Sequence, residues 1–282
     1  VNVTVESALG VPAVWAAVNF ISGTLASLPL EVFQKTATGR EPVTGGIGAW
    51  IDRAVNPHLS SFGWRKYAFE QVLTSGRSVT QIVRNGRGDV TDLIPLDPSE
   101  ITVSETTDAA GFPTKIYRTT TQVYQAEEVL DLTFMVKANQ LDNRSPIFTN
   151  RDVIGLAIAA ARYGSKAFMA GGIPPAVITG PFQSGAAAQR ASEDVAHTTA
   201  KLAREGRSIM ALPAGHELKS IGFSPDQMQL LPLQQFCIEQ IARIYSLPPI
   251  FLQDLSHGTY SNTEQQDLHF VKHTLRRWIE QA

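Results

Sequence analysis

Leu247-Pro248-Pro249-Ile250-Phe251-Leu252, then Gln253-Asp254-Leu255-Ser256-His257-Gly258, then Thr259-Tyr260-Ser261-Asn262-Thr263-Glu264-Gln265-Gln266 form a sharp stop, a polar loop and a marked restart. A proline has no amide donor and restricts the residue before it, so Pro248 and Pro249 end whatever helix precedes them. Ser261 with Glu264, or Asn262 with Gln265, has the spacing of a capping box. Leu268, Val271, Leu275 and Trp278 then recur three and four residues apart, which predicts a helix with one apolar face. A polar loop held between two helices suits a gate, or a contact with something that passes.

The 282 residues are enough for about two domains and a sizeable core. With 43% hydrophobic and 18% charged residues the composition is that of an ordinary globular chain. No apolar run approaches the roughly 18 residues of a membrane span, and the N-terminus lacks the layout of a signal peptide. The single cysteine, Cys237, excludes a disulfide framework and fits a reducing compartment. A net charge of -2 argues against tight nonspecific binding of nucleic acid, while leaving room for brief contact with DNA. The last residues are still helical in pattern, so the natural chain is expected to continue.

Upstream, Pro12 opens a helix with Val14, Val18, Ile21 and Leu25 on one stripe. Pro29 stops it, and Leu30 to Phe33 alternates like a strand. Thr44 to Gly48 is a turn before a short helix at Trp50 and Ile51. Ser61 is placed to cap a helix carrying Trp64, Tyr67, Ala68 and Val72, with Gly76 as its stop. Val79 to Arg84 and Val90 to Leu96 read as a hairpin around Asn85-Gly86. Ile101 to Ser104, Lys115 to Thr119 and Glu128 to Phe134 complete one small antiparallel sheet, an α+β unit with the preceding helices. Ser145-Pro146 starts a long helix to about Ala170 with small residues along its middle. An insert follows: a strand at 176–179, a helix at 185–205 and strands at 208–212 and 217–221. Ser224-Pro225 starts a second long helix ending at Leu247, and Pro232 inside it predicts a kink or a late start.

Few residues point to chemistry. His269 and His273 lie one helical turn apart, but no further ligand completes a zinc set, so no metal and no cofactor is expected. No Gly-x-Ser-x-Gly elbow is present. Gly45, Gly46 and Gly48 lack the partners of a phosphate loop. Arg87-Gly88-Asp89 sits at a hairpin tip where Gly and Asp are expected on turn grounds. Glu127, Glu128 and Asp131 read as solvated edge charges. No catalytic constellation is found, so no enzyme is expected. His269, Lys272, His273, Arg276 and Arg277 give the last helix a partly basic side, suited to an ordinary solvated face or to a polyanion.

The order of several short stretches resembles the portal proteins of tailed bacteriophages, in the branch used by many siphophages. Leu247-Pro248-Pro249, Thr259 to Gln265, Phe270 and Thr274-Leu275 carry the resemblance at the C-terminal end. Val11 to Val18, Leu25 to Leu30, Asn56-Pro57, Leu93 to Leu96, Arg144 to Ile147 and Phe168 to Pro174 continue it in the right order. The resemblance implies an α+β fold with a helix-and-antiparallel-sheet wing over 1–144. Stem helices over 145–173 and 224–249 would frame a clip insert over 174–223. A tunnel loop over 250–262 and a C-terminal helix over 263–282 would follow, the chain stopping before the family's crown.

It further implies a homo-oligomeric ring, a dodecamer, at one vertex of the virion capsid, assembled in the host cytoplasm. Double-stranded DNA would pass through the ring in packaging and ejection. The terminase large subunit, a head-completion adaptor and the major capsid protein would be its partners, with no membrane. Gln253, Asp254, Leu255, Ser256, His257, Gly258, Thr259 and Tyr260 would form the tunnel loop. Arg190, Glu193, Lys201, Arg204 and His216 would face terminase or adaptor. The competing expectation is a monomeric interaction or adhesion module using Arg87-Gly88-Asp89.

Overall fold

The computed structural model describes residues 2–43, 45–108, 110–169, 176–205, 212, 214–220, 229–252 and 263–281. Its backbone divides into two compact units, one of residues 2–155 with 238–282 and one of residues 156–237.

The first unit begins with α1 (Val5–Leu9), where Thr4 and Ser7 cap each other, and α2 (Pro12–Ser27). Val14, Val18, Ile21 and Leu25 of α2 are buried, as their spacing requires. Strands β1 (Phe33–Thr36) and β2 (Gly39–Pro42) form an exposed hairpin. The strand expected at Leu30 to Phe33 is therefore displaced. Leu30 packs instead on the Val55, Trp64 and Leu93 cluster, and its amide turns to Asp52 Oδ1 at 3.4 Å. A short helix α3 (Ile47–Trp50) and strands β3 (Ala54–Asn56) and β4 (Leu59–Ser60) lead to α4 (Ser61–Thr74). The cap of α4 is Ser60, which accepts from the Gly63 amide at 3.1 Å, whereas Ser61 is its first helical residue and is fully buried. The chain leaves α4 through Gly76 at φ +86°, where a Cβ would lie 2.6 Å from the Arg144 carbonyl oxygen, so only glycine fits.

Two three-stranded antiparallel sheets follow, not one. Strands β5 (Arg77–Arg84) and β6 (Val90–Leu96) are joined by β10 (Val129–Thr133) in the order β10-β5-β6. Strands β7 (Thr102–Thr107), β8 (Pro113–Arg118) and β9 (Val123–Gln125) form the other. Between β6 and β7 a 3₁₀ turn at Pro98–Glu100, capped by Asp97, ends the first pairing. β10 then returns to β5, from Val129 opposite Gln81 to Thr133 opposite Arg77. Val79 and Val129 of one sheet pack with Tyr117 and Tyr124 of the other, so the two share a core. The β5–β6 hairpin stands, but its turn is longer than Asn85-Gly86 alone: the Asn85 amide bonds Asp89 O at 2.9 Å, and Gly88 holds the positive φ.

Asp131 is a correction to the sequence reading. It is no solvated edge charge: its carboxylate lies 3.1 Å from Arg77 Nε, and both side chains are about nine-tenths buried (9% and 11% exposed). The Tyr117 hydroxyl donates to its other oxygen at 2.8 Å. Pairing β10 on β5 turns Asp131 inward, and the Arg77 charge together with the Tyr117 hydroxyl makes that tolerable.

Ser145 does cap a helix, accepting from the Phe148 amide and donating to the Thr74 carbonyl. The long helix is broken, however, into α5 (Pro146–Thr149) and α6 (Arg151–Met169), because Asn150 has ψ 27° and turns its side-chain amide onto Pro146 O.

In the second unit Gly164 of α6 lies against Leu230, with 3.2 Å left for any Cβ. β11 (Ala176–Thr179) precedes α7 (Gly185–Arg204), and β12 (Glu217–Ser220) pairs antiparallel with β11. Of the strand expected at 208–212 only Leu212 is described. α8 (Leu230–Ile244) begins late, so that Pro232 falls in its first turn, where a missing amide costs no hydrogen bond. The residues 224–228 that were expected to start it lie outside the described ones. Among the described residues no helix is long and apolar enough to cross a membrane.

Candidate functional site

The stop at the end of α8 is made before the prolines. The Leu247 amide reaches back to Ala242 O at 2.9 Å and the Ser246 amide to Arg243 O at 3.1 Å. This pair of bonds is a Schellman cap, and it places Ser246 in the left-handed region at φ +55°. Glycine usually occupies that position, so the cap has no sequence signature here. Pro249–Leu252 then forms one 3₁₀ turn.

The restart is α9 (Thr263–His269), a π-helical turn at Phe270–Leu275 and α10 (Arg276–Gln281). The capping boxes expected at Ser261 and Asn262 lie outside the described residues. The apolar face is not the expected one. Leu268 and Val271 are about half exposed, at 53% and 50%, while Phe270, Thr274, Leu275 and Trp278 are buried. The π turn is the reason: it widens the helix locally, so Phe270 and Leu275, five apart, can face inward together.

Three anchors hold this segment. Phe270 packs with Phe20 and Phe251, each pair of ring centroids 5.0 to 5.2 Å apart. Thr274 donates to Ser246 O at 2.5 Å, which ties the π turn to the Schellman cap. Trp278 meets Phe69 and Phe134, and Gln281 donates to Thr133 O at 2.7 Å. Tyr245, one residue before the cap, is fully buried and donates to Leu73 O at 3.1 Å. Burial pushes its phenol pKa up, because the phenolate would be desolvated.

Between cap and restart lies an open cleft of about 630 Å³, lined by Arg243, Ser246, Leu247, Pro248, Gln266, His269 and His273. The His269 and His273 rings are 4.4 Å apart between centroids. Lys272 and Arg276 are exposed, and Arg276 pairs with Glu280 at 2.7 Å. Arg277 behaves differently from the other four basic-side residues: its guanidinium sits over Trp278 at 4.7 Å and over Phe134 at 5.5 Å. The residue is exposed as a whole, and desolvation of its guanidinium lowers its pKa from the ordinary value. The tunnel-loop residues Gln253, Asp254, Leu255, Ser256, His257, Gly258, Thr259 and Tyr260 lie outside the described residues.

In the second unit Arg190, Glu193 and Lys201 are exposed along α7, with Gln189 Nε2 donating to Glu193 Oε1 at 3.1 Å. His216 packs edge-on against Phe182 at 4.9 Å, just after the turn at 214–215 that precedes β12. The Arg204 side chain lies outside the described residues. Sequence reasoning missed Ser246, Arg243, Gln266 and the Phe20, Phe251 and Phe270 cluster. The recurrence of phenylalanine on either side of the prolines was the one available signal.

Among the described residues no group of three or more His, Cys, Asp or Glu side chains converges on a metal position. Cys237 is a free, buried cysteine whose pKa burial pushes up, away from nucleophilic use.

The chain is similar to the probable portal protein of Streptomyces phage phiC31, at 29% identity over 99% of this chain and 63% of that protein. It is also similar to the portal protein of Enterobacteria phage HK97, at 24% identity over 97% of this chain and 65% of that protein. It thus spans somewhat under two thirds of the length of these curated relatives. Among solved structures it shares the fold of an HK97-family phage portal protein from Corynebacterium diphtheriae, with a TM-score of 0.72 at 14% identity, over 97% of this chain and 85% of that one. The neck of a native gene transfer agent particle, computed with C12 symmetry, gives a TM-score of 0.62 at 16% identity, over 96% of this chain and 74% of that one. The phage portal protein model matches residues 12–282, and the chain belongs to the phage portal protein family.

Proposed function

We propose that this chain is the core of a head-tail connector, a ring at one vertex of the virion capsid through which double-stranded DNA is packaged and later ejected. The observation that carries this reading is the family match from residue 12 to 282, across both units. The ring is homo-oligomeric and twelvefold, a proposal supported by the C12 neck with the same fold. It serves as a conduit and hydrolyses nothing itself. Large apolar side chains left exposed in one chain, such as Trp15, Phe148, Leu231 and Val271, are what neighbouring subunits would cover. A net charge of -2 suits a channel that lets DNA slide, since several phosphate contacts would hold it in a salt-dependent grip.

In this reading residues 1–144 are the wing and 145–173 and 224–249 the stem. Residues 174–223 are the clip, whose Arg190, Glu193, Lys201, Arg204 and His216 face the terminase large subunit and later the adaptor. Residues 250–262 are the tunnel loop, anchored by the Schellman cap on one side and the π turn on the other. His269, Lys272, His273 and Arg276 border the DNA path or the next subunit, and the major capsid protein surrounds the vertex. Assembly takes place in the host cytoplasm. Deleting residues 255–260 from the full-length protein tests the assignment: ring assembly should persist while DNA packaging falls, and unchanged packaging refutes the tunnel-loop role.

A further inference from the structure

We infer that His269 and His273, with Gln266, form a binding site for a divalent late transition metal, copper(II) or nickel(II). The inference stands apart from the channel reading and does not depend on it. Both imidazoles are exposed, lie one turn apart and line the same open cleft. Their centroid separation of 4.4 Å carries the geometric argument.

A metal bound at about 2.0–2.1 Å from a ring nitrogen lies about 3.2 Å from that ring's centroid. Two centroids 4.4 Å apart then subtend an angle of about 90° at the metal. A tetrahedral ion would need the centroids about 5.2 Å apart. With one nitrogen of each ring turned to a shared ion, this spacing matches two cis positions of a square-planar or tetragonal centre, the geometry preferred by copper(II) and nickel(II) with nitrogen and oxygen donors.

A third donor stands at the same cleft. Gln266, three residues before His269, has its Oε1 buried and without a hydrogen-bond partner among the described residues. A buried acceptor left unpaired is costly, and a cation beside it removes the cost. Two ring nitrogens and one amide oxygen leave the remaining coordination positions to water, as the openness of the cleft allows. Such a site is exchangeable, unlike a closed structural zinc site.

The charges around the cleft favour a metal over a phosphate. Arg243, the one permanent cation among the described lining residues, lies 3.7 Å from Glu239, which offsets its charge. Each imidazole carries a ring nitrogen able to bind a late transition metal through its lone pair. Ser246, Leu247 and Pro248 are uncharged residues among the described lining.

The test is calorimetric titration of the purified protein with copper sulfate, nickel chloride and, separately, sodium phosphate at pH 7.5 in a non-coordinating buffer. Electron paramagnetic resonance of the copper-loaded protein counts its nitrogen ligands. One copper per chain with two coupled nitrogens is expected. His269→Gln and His273→Gln should each weaken binding by at least about tenfold, the loss that even an outer partner of a metal ligand causes. His58→Gln, at an exposed turn, should leave it unchanged. Copper binding unaltered in His273→Gln would overturn the inference. So would a wild-type spectrum without two-nitrogen coupling, or binding of phosphate but of neither metal.

Discussion

Tyr245 donates its hydroxyl to the Leu73 carbonyl at 3.1 Å, in a position closed to water. Leu73 lies in the last turn of α4, where carbonyls lose their helical partners, so a side chain from the end of α8 completes the end of α4. Two elements some 170 residues apart in sequence are joined at one buried bond. Tyr245→Phe keeps the ring and removes the donor, leaving the Leu73 oxygen unpaired. It should lower stability by about 1–3 kcal/mol, read by chemical denaturation.

The same burial gives a pH dependence. Tyr245 and Tyr117 both have pKa values raised above the ordinary 10.0, Tyr245 by desolvation and Tyr117 by desolvation and then the charge of Asp131. Both phenols stay protonated in the folded state at a pH where the unfolded chain has begun to lose those protons. Their contribution is therefore complete below pH 10 and declines as pH rises above it. Denaturation midpoints should fall above pH 10, and Tyr245→Phe should reduce the slope of that fall.

Arg77 and Asp131 form a buried pair in which each makes the other tolerable. Asp131→Leu or Arg77→Met alone strands one charge and should cost roughly 3–5 kcal/mol. The double variant should be more stable than the worse of the two single ones, as a double-mutant cycle would read directly. Equal or greater loss in the double variant would mean that the Tyr117 and Leu141 contacts, not the charge pairing, dominate.

These two sites also show where sequence reasoning stopped. The stripe of Val14, Val18, Ile21 and Leu25 was legible because a helix buries one face at fixed spacing. The α5 to α6 break at Asn150 was not, since a single ψ angle and a side-chain bond to Pro146 O decide it. Asp131 looked like an edge charge because nothing in its neighbourhood reveals that β10 will pair with β5, about fifty residues earlier. That one helix ends close to Pro248 and another follows was legible, although the stop is made at Ser246 and the buried face is not the one the spacing predicts. The αL cap at Ser246 and the π turn at Phe270–Leu275 carry no glycine and keep a helical composition, so they had no mark to read.

Thr274 links that cap to the π turn through Ser246 O. Thr274→Val preserves shape and removes the bond, so stability should fall by about 1 kcal/mol. Ser246→Val, a β-branched residue at positive φ, should cost more than Ser246→Gly, which the left-handed geometry accepts. If Ser246→Val were the milder of the two by denaturant midpoint, the Schellman description would fail.

In the proposed connector, copies of this chain close into a ring around a DNA path. Native mass spectrometry of the full-length protein at high concentration, with negative-stain images of the same sample, tests it most directly. A closed twelvefold assembly with an open centre is expected; monomers alone, in both measurements, would refute the ring.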